Sequence, residues 1–266
     1  MADTADREAI LREIAKKRVV YALPGMDDVR VHSGTYDTGY EHLAMDIYAP
    51  ASGGPAPVVI LAFGYADPPG QIRQYGPVTS WARLMAASGM AAVIHATNEC
   101  AENIHAVIRH LRANAGALGV DAARIGVFAE SANVSVALSA LMRDPTIKCA
   151  ALLTGFTIDL DGSTTVADAA KQYMFTDACA GRTVDDLPDG VPMLFLRAGR
   201  EHFPGLNDAL DTVVARCVAR NLPVTLVNHA SGTHGFEFDQ DSELSREMVR
   251  RVLAFLQWHL RLETGD

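Results

Sequence analysis

Residues 124–138 read RIGVFAESANVSVAL, and this stretch predicts the fold. Its first half is an apolar run typical of a buried strand, and its second half has the apolar residues of a helix. Ser131 lies between them, which predicts a sharp turn that exposes the serine hydroxyl above the strand end. The alternative is that Ser131 only caps the helix. Ala129 and Asn133 stand where such a turn usually has glycines, so Asn133 needs extra room or a specific hydrogen bond.

Strand and helix patterns alternate on both sides of this turn. Buried strands are predicted at residues 58–63, 91–96, 125–129, 149–154, 193–197 and 223–228, and helices at 5–17, 131–142 and 206–220, among others. Residues 29–32 and 43–48 have alternating apolar residues and predict antiparallel lead-in strands. Because such a chain winds by right-handed crossovers, we expect an α/β fold with a doubly wound, mostly parallel sheet.

The composition favours one domain that binds a small molecule. A chain of 266 residues with 49% hydrophobic side chains is long enough for a single large α/β domain. The net charge of −9 argues against binding to nucleic acid or to an anionic membrane. Without a signal peptide or a long apolar run, the chain is expected to be cytoplasmic. Its four cysteines have no C-x-x-C spacing, so we expect them to be reduced and buried.

Cofactor and metal motifs are missing. Neither G-x-G-x-x-G nor G-x-x-x-x-G-K-[ST] occurs, although doubly wound sheets often carry one of these phosphate-binding loops. H-E-x-x-H is missing as well. His105 and His110 are five residues apart on one predicted helix and therefore point in different directions. We expect no cofactor and no metal.

Two later loops hold the groups that would activate a serine. Hydrolases of this architecture place an acid and then a histidine downstream of the serine, in loops at the carboxyl ends of strands. Glu201 follows the strand predicted at 193–197, and His234 lies between glycines in a loop before the final helix. Asp208 and Asp211 are alternative acids, but both lie within the helix predicted at 206–220.

Two further residues compete for a role beside this set. His229 is the alternative histidine, but it sits at a strand end, where a histidine is more often structural. Glu130 adjoins Ser131, yet neighbouring side chains in a sharp turn point apart. We therefore expect Glu130 to have a supporting role at most.

At this point the chain resembles a known family. With the turn at Ser131, the Ala-Gly-Arg-Glu loop at 198–201 and the His-Gly-Phe segment at 234–236, it is similar to the α/β-hydrolase superfamily, and more narrowly to dienelactone-hydrolase-like and small bacterial serine esterases. The resemblance covers about residues 41–262. It implies that Ser131 is the nucleophile, that His234 is the general base and then acid, and that Glu201 orients the imidazole. The chain departs from dienelactone hydrolases in having Ser for Cys and Glu for the commoner Asp.

The resemblance also implies a small cap. The superfamily inserts its cap between two strands at the place where this chain has residues 156–190. Tyr173, Met174 and Phe175 lie in a predicted helix of this segment. They either line an acyl or alcohol pocket or only pack the helix against the body of the protein.

Acyl transfer further needs two hydrogen-bond donors around the developing oxyanion. The N–H of Ala132, directly after the serine, is the first candidate. The loop after the strand at 58–63 is expected to provide the second, because Gly64 there permits close approach of the backbone to the substrate. The donor is then the N–H of Tyr65 or its hydroxyl; alternatively, Tyr65 only forms an aromatic wall of the substrate site.

Together these residues predict a serine hydrolase that cleaves carboxylic esters of small to medium size through an acyl-enzyme. A lactone, C–C bond or peptide hydrolase with the same triad is the alternative within catalysis. From another class, the alternative is a catalytically silent ligand-binding protein on the same fold. The expected partner is a small-molecule ester, and the oligomeric state, a monomer or a homodimer, is left open.

Overall fold

The structure is a computed structural model that describes residues 12–51 and 53–261. Its strands are β1 (Arg30–Asp37), β2 (His42–Ala49), β3 (Ala56–Leu61), β4 (Ala91–His95), β5 (Val120–Glu130), β6 (Cys149–Leu153), β7 (Met193–Ala198) and β8 (Val224–His229). Its helices are α1 (Gly76–Ala87), α2 (Cys100–Leu118), α3 (Val134–Arg143), α4 (Thr165–Tyr173), α5 (Leu206–Ala219), α6 (Phe236–Asp239) and α7 (Glu243–His259). Short 3-10 turns cover Ile72–Gln74, Ser131–Asn133 and Val184–Asp186. The helix predicted at 5–17 lies largely outside the described residues. In the part of it that is described, residues 12–16 are helical.

The strands form one sheet in the order β1-β2-β4-β3-β5-β6-β7-β8. From β4 to β8 all neighbours are parallel, whereas β1 and β2 run antiparallel to each other, and β2 runs antiparallel to β4. This confirms the predicted doubly wound sheet with an antiparallel lead-in.

Strand order creates a crevice at the centre of the sheet. The chain adds β4 on one side of β3 and then returns to add β5 on the other side. Loops that leave β3 and β5 therefore diverge at their carboxyl ends, where open α/β sheets bind their ligands. Ser131 leaves β5 at this point, and Gly64 follows β3.

Side-chain alternation in β3 divides the core into two halves. Val58 and Ile60 pack with α2, α3 and α5 on one face of the sheet, and Val59 and Leu61 pack with α1 and α7 on the other. Val58, Val59 and Ile60 are fully buried, as predicted for a strand covered on both faces. Burying each such side chain contributes about 1.5–3 kcal/mol, so the central strands are a firm base for the loops above them.

Several strands differ from their predicted bounds, and β5 is the clearest case. β5 begins at Val120 rather than at residue 125, and its register against β3 shifts between Pro57 and Val58. The shift falls where Asp121 accepts hydrogen bonds from Arg124 Nε at 2.8 Å and from the Ala123 N–H at 3.0 Å. These polar contacts accommodate the extra residues of β5. Because residues 120–124 do not alternate apolar and polar side chains, the sequence pattern does not predict them as strand.

The state of the cysteines agrees with expectation. All four cysteines, Cys100, Cys149, Cys179 and Cys217, are buried and unpaired, as predicted. Within the part of the chain that the structure describes, none of the helices is long and apolar enough to cross a membrane.

Candidate active site

Ser131 occupies a strained turn between β5 and α3. Its φ of 55° lies in the left-handed region that residues with a side chain rarely adopt. A 3-10 turn, Ser131–Asn133, then leads directly into α3. Strain of this kind persists only where the surrounding structure enforces it, and it concentrates at functional sites.

The two residues that replace the usual glycines are both accommodated. Ala129 is buried at the end of β5. Asn133 makes a specific hydrogen bond, because its Oδ1 accepts the N–H of Gly64 at 2.7 Å. Asn133 thus fastens the loop after β3 to the turn that carries Ser131.

Ser131, His234 and Glu201 form one chain of hydrogen bonds. Ser131 Oγ lies 2.8 Å from His234 Nε2, and His234 Nδ1 lies 2.7 Å from Glu201 Oε2. A carboxylate can only accept a hydrogen bond, so His234 Nδ1 carries the ring proton and donates a hydrogen bond to Glu201. This leaves Nε2 to accept a hydrogen bond from the serine hydroxyl. The structure therefore brings together the three side chains that the sequence analysis selected from three separate loops.

Glu201 is held firmly behind the histidine. Its side chain is only 2% exposed, and its Oε1 accepts the N–H of His202 at 2.8 Å and that of Phe203 at 3.0 Å. Burial alone would raise the pKa of the Glu201 carboxyl, but the hydrogen bonds and charge of His234, together with the two backbone N–H groups, hold that pKa below its ordinary value. Glu201 thus stays ionised and able to stabilise a positive imidazole.

The competing candidates lie elsewhere in the structure. His229 is buried, and its Nε2 lies 3.1 Å from Ser245 Oγ. Asp211 pairs with Arg197 at 2.8 Å, and Asp208 lies in the first turn of α5. None of the three joins the chain of hydrogen bonds at the serine.

The loop after β3 lies against the turn of Ser131. A Cβ atom on Gly64 would stand 2.4 Å from the carbonyl oxygen of Ala132, so only glycine fits this approach. Gly64 also accepts the N–H of Thr176 at 2.7 Å, which ties the loop to the segment at 156–190. Tyr65 follows Gly64, and its ring lies 6.5 Å from that of Phe175.

A cluster of aromatic side chains lies beside these groups and comprises Phe156, Tyr173, Phe175 and Phe203. Phe156 stacks on Phe175 with ring centres 5.3 Å apart, and Tyr173 meets Phe203 edge-on at 5.2 Å. Ala132 packs into the same cluster. Of the three residues predicted in this segment, Tyr173 and Phe175 join the cluster.

Met174 differs from its two neighbours. It is 58% exposed, because its left-handed backbone (φ 60°) ends α4 and turns the side chain outward. The prediction that Met174 lines a pocket has no support from this placement.

Sequence analysis missed Phe203. Its ring lies 4.7 Å from that of His234, edge to face, and it also contacts the aromatic cluster. The signal available was its place two residues after Glu201, in the loop already selected. An aromatic residue in a loop has no periodicity to mark it, so only the fold reveals the contact.

The described residues contain no group of three or more histidine, cysteine, aspartate or glutamate side chains that could hold a metal ion. Among them, His105 and His110 both lie on α2.

Comparison with solved structures gives many matches to esterases. A thermostable esterase from Pseudomonas putida matches with a TM-score of 0.75 and 17% identity, over 98% of this chain and 91% of that one. A thermophilic carboxylesterase cloned from a metagenomic library matches with a TM-score of 0.71 and 16% identity, over 97% and 95% of the two chains. A hyperthermophilic esterase from the archaeon Pyrobaculum calidifontis matches with a TM-score of 0.70 and 20% identity, over 95% and 90%.

No protein-family model and no curated protein matches the sequence. The narrower resemblance to dienelactone hydrolases stays a prediction. At these identities the likeness establishes the architecture: over nearly its whole length, the chain has the α/β-hydrolase fold that the esterases share.

Proposed function

We propose that this protein is a serine carboxylesterase in which Ser131 is the nucleophile, His234 the general base and acid, and Glu201 the orienting carboxylate. The observation that carries the proposal is the continuous set of hydrogen bonds, 2.8 Å from Ser131 to His234 and 2.7 Å from His234 to Glu201. The strained backbone of Ser131 supports it independently, since a mere helix cap needs no left-handed residue.

The reaction would proceed in two halves. Ser131 Oγ attacks the ester carbonyl carbon while its proton passes to His234 Nε2, and the tetrahedral adduct then expels the alcohol, which takes that proton. Water, deprotonated by His234, next attacks the acyl carbon; as this second adduct collapses, His234 returns the proton to Ser131 Oγ and the carboxylic acid is released. In both halves Glu201 stabilises the imidazolium and keeps Nε2 directed at the serine.

The oxyanion would be held by the N–H of Ala132 and by Tyr65, through its N–H or its hydroxyl. Support comes from the close approach of Gly64 to Ala132, which brings the two loops to one side of Ser131. Losing one such donor typically costs about 2.7–4 kcal/mol in the barrier. The bond from Gly64 to Asn133 would keep the two donors in register.

The substrate would lie against the aromatic cluster. Tyr65, Tyr173 and Phe175 belong to this cluster or pack on it, and Gly64 holds the loop that carries Tyr65 against Ala132 beside them. We propose that residues 156–190 act as a small cap on a single domain, narrowing access to Ser131 and contributing the apolar wall. Such a wall favours esters whose acyl or alcohol group is apolar and of small to medium size.

The test is a panel of chromogenic esters, lactones and peptides on wild-type protein and Ser131→Ala. We expect ester hydrolysis by the wild type and less than about 0.1% of kcat in the variant, because the triad acts as a unit. Mass spectrometry after treatment with a sulfonyl fluoride or an organophosphate should find the adduct on Ser131. A wild-type protein that forms no adduct and turns over none of these compounds would be a silent binding protein, and the proposal would then be wrong.

A further inference from the structure

Two carboxyl groups with buried oxygen atoms lie behind the proposed triad. Glu130 ends β5 directly before Ser131, and Glu237 lies in α6, the third residue after His234. Glu237 is 1% exposed, and Glu130 Oε1 and Glu237 Oε2 are both out of contact with water. Their side chains interact directly with each other. Through this contact they link the end of β5, which precedes Ser131, to α6, which follows His234.

Two carboxylates in buried contact cannot both be ionised at modest cost. Burial, the charge of Glu237 and a hydrogen bond with it raise the pKa of Glu130 well above its ordinary value. Burial also raises the pKa of Glu237, although bonding to its own backbone and to Glu130, and the charge of His234, oppose the rise. The pair therefore keeps one proton to higher pH than two separate, exposed carboxyl groups would.

Among the described residues, no side chain makes a regular hydrogen bond to the buried oxygens of the pair in place of this proton. The indole of Trp81 lies beside Glu130 and slightly favours its ionised form without making a regular hydrogen bond. Asp239 adds a further negative charge near Glu237, and Lys17 pairs with that aspartate at 2.6 Å. Glu130 Oε1 and Glu237 Oε2 have no ordinary donor within the described residues, which is what a proton shared between two carboxyl groups explains.

We propose that Glu130 and Glu237 form a carboxyl pair that shares one proton and positions the turn of Ser131 against the segment of His234. Both are positioning residues, since neither touches Ser131 Oγ or the imidazole nitrogens in the chain of hydrogen bonds. The single remaining charge also stabilises a positive His234. The positioning role rests on the proposed esterase function, whereas the shared proton does not.

Thermal unfolding tests the shared proton without any activity. The folded pair holds its proton to higher pH than the unfolded chain does, so its stabilising effect is complete below the ordinary carboxyl pKa of about 4.3 and is lost as pH rises toward the folded value. Glu130→Gln keeps a donor to Glu237 and needs no proton. Relative to wild type, its Tm should therefore rise by about 3–8 °C between pH 5 and pH 9. Glu99→Gln, at an exposed carboxylate, is the control and should show a pH-independent difference.

Kinetics test the positioning role. Glu130→Gln should retain at least tenfold more kcat than Glu130→Ala, with similar KM. We expect the wild-type rate to fall at alkaline pH when the pair ionises, and Glu130→Gln should lose this fall. Equal kcat in the Gln and Ala variants would overturn the positioning role. A Tm difference for Glu130→Gln that does not change with pH would overturn the shared proton. If the wild type hydrolyses no ester, the proposed function fails, and the Tm series still decides whether the proton is shared.

Discussion

Asn133→Ala tests whether the hydrogen bond between the Ser131 turn and the loop after β3 sets the rate. In the wild type, Asn133 Oδ1 accepts the Gly64 N–H at 2.7 Å, and the side chain makes no capping bond to α3. Alanine therefore removes one defined interaction and leaves the helix end unchanged. Leaving a partly buried N–H without a partner costs about 1–3 kcal/mol, which is the expected loss of unfolding free energy.

A larger relative effect is expected on catalysis. Gly64 is in backbone contact with Ala132, so a shift of this loop changes the distance between the two proposed oxyanion donors. Complete loss of one donor would cost about 2.7–4 kcal/mol in the barrier. A partial displacement should cost about 1.4–2.7 kcal/mol, which is a fall of about 10- to 100-fold in kcat. KM should change less, because the aromatic cluster is left intact.

The assay pairs chromogenic ester kinetics with urea unfolding of the same preparations. Asn133→Asp keeps an acceptor for Gly64 but adds a negative charge beside the proposed oxyanion, so it should keep most of the stability and still lose kcat. Asn114→Ala is the control, since Asn114 is exposed on α2 and its side chain donates to the His110 carbonyl in the same helix. If Asn133→Ala lost stability but kept the wild-type kcat, the loop would not set the oxyanion geometry and the reasoning would be refuted.

Three further predictions follow from other contacts. Glu201→Gln keeps the shape of the side chain but removes the charge behind His234, so kcat should fall about 10⁴-fold; a loss below tenfold in steady-state kinetics would remove Glu201 from the triad. Phe203→Ala removes the ring that touches His234 and Tyr173, and kcat/KM should fall about tenfold for bulky apolar esters, and less for acetates. Burial lowers the pKa of His95 to about 4, so the unfolded chain takes up its proton first as pH falls, and the protein should lose about 2–3 kcal/mol between pH 7 and pH 4.5. Urea titrations of His95→Phe should show a correspondingly smaller loss, and an equal loss in the variant would place the acid sensitivity elsewhere.

Sequence patterns were sufficient wherever a local rule determines the structure. The run at residues 58–63 is apolar throughout because both faces of β3 are covered, and that burial is what the pattern predicted. Ser131 was placed correctly between strand and helix, because the change from strand to helix periodicity occurs at that residue. The order of serine, acid and histidine along the chain then pointed to Glu201 and His234, which the fold brings into hydrogen-bonding distance.

Contacts between distant residues carry no such rule. Gly64 and Asn133 are 69 positions apart, and neither shows from its own surroundings that it bonds to the other. The same holds for Glu130 and Glu237, since one directly precedes Ser131 and the other follows His234 in a distant part of the chain. Glu130 was assigned only a supporting role because turn neighbours point apart, and that reasoning says nothing of what the side chain meets on the other face.

The glycines missing around Ser131 show how the turn is nevertheless accommodated. A residue at φ 55° costs about 1–3 kcal/mol, and the close packing around it usually requires small neighbours in the chain itself. Here the space comes from neighbouring strands. A Cβ on Gly155, just after β6, would lie 2.7 Å from the Ser131 carbonyl oxygen, and a Cβ on Gly64, just after β3, would lie 2.4 Å from that of Ala132. Because these two glycines flank the turn in space, Asn133 is free to bond to the loop after β3, and a motif defined along the chain cannot recognise the arrangement.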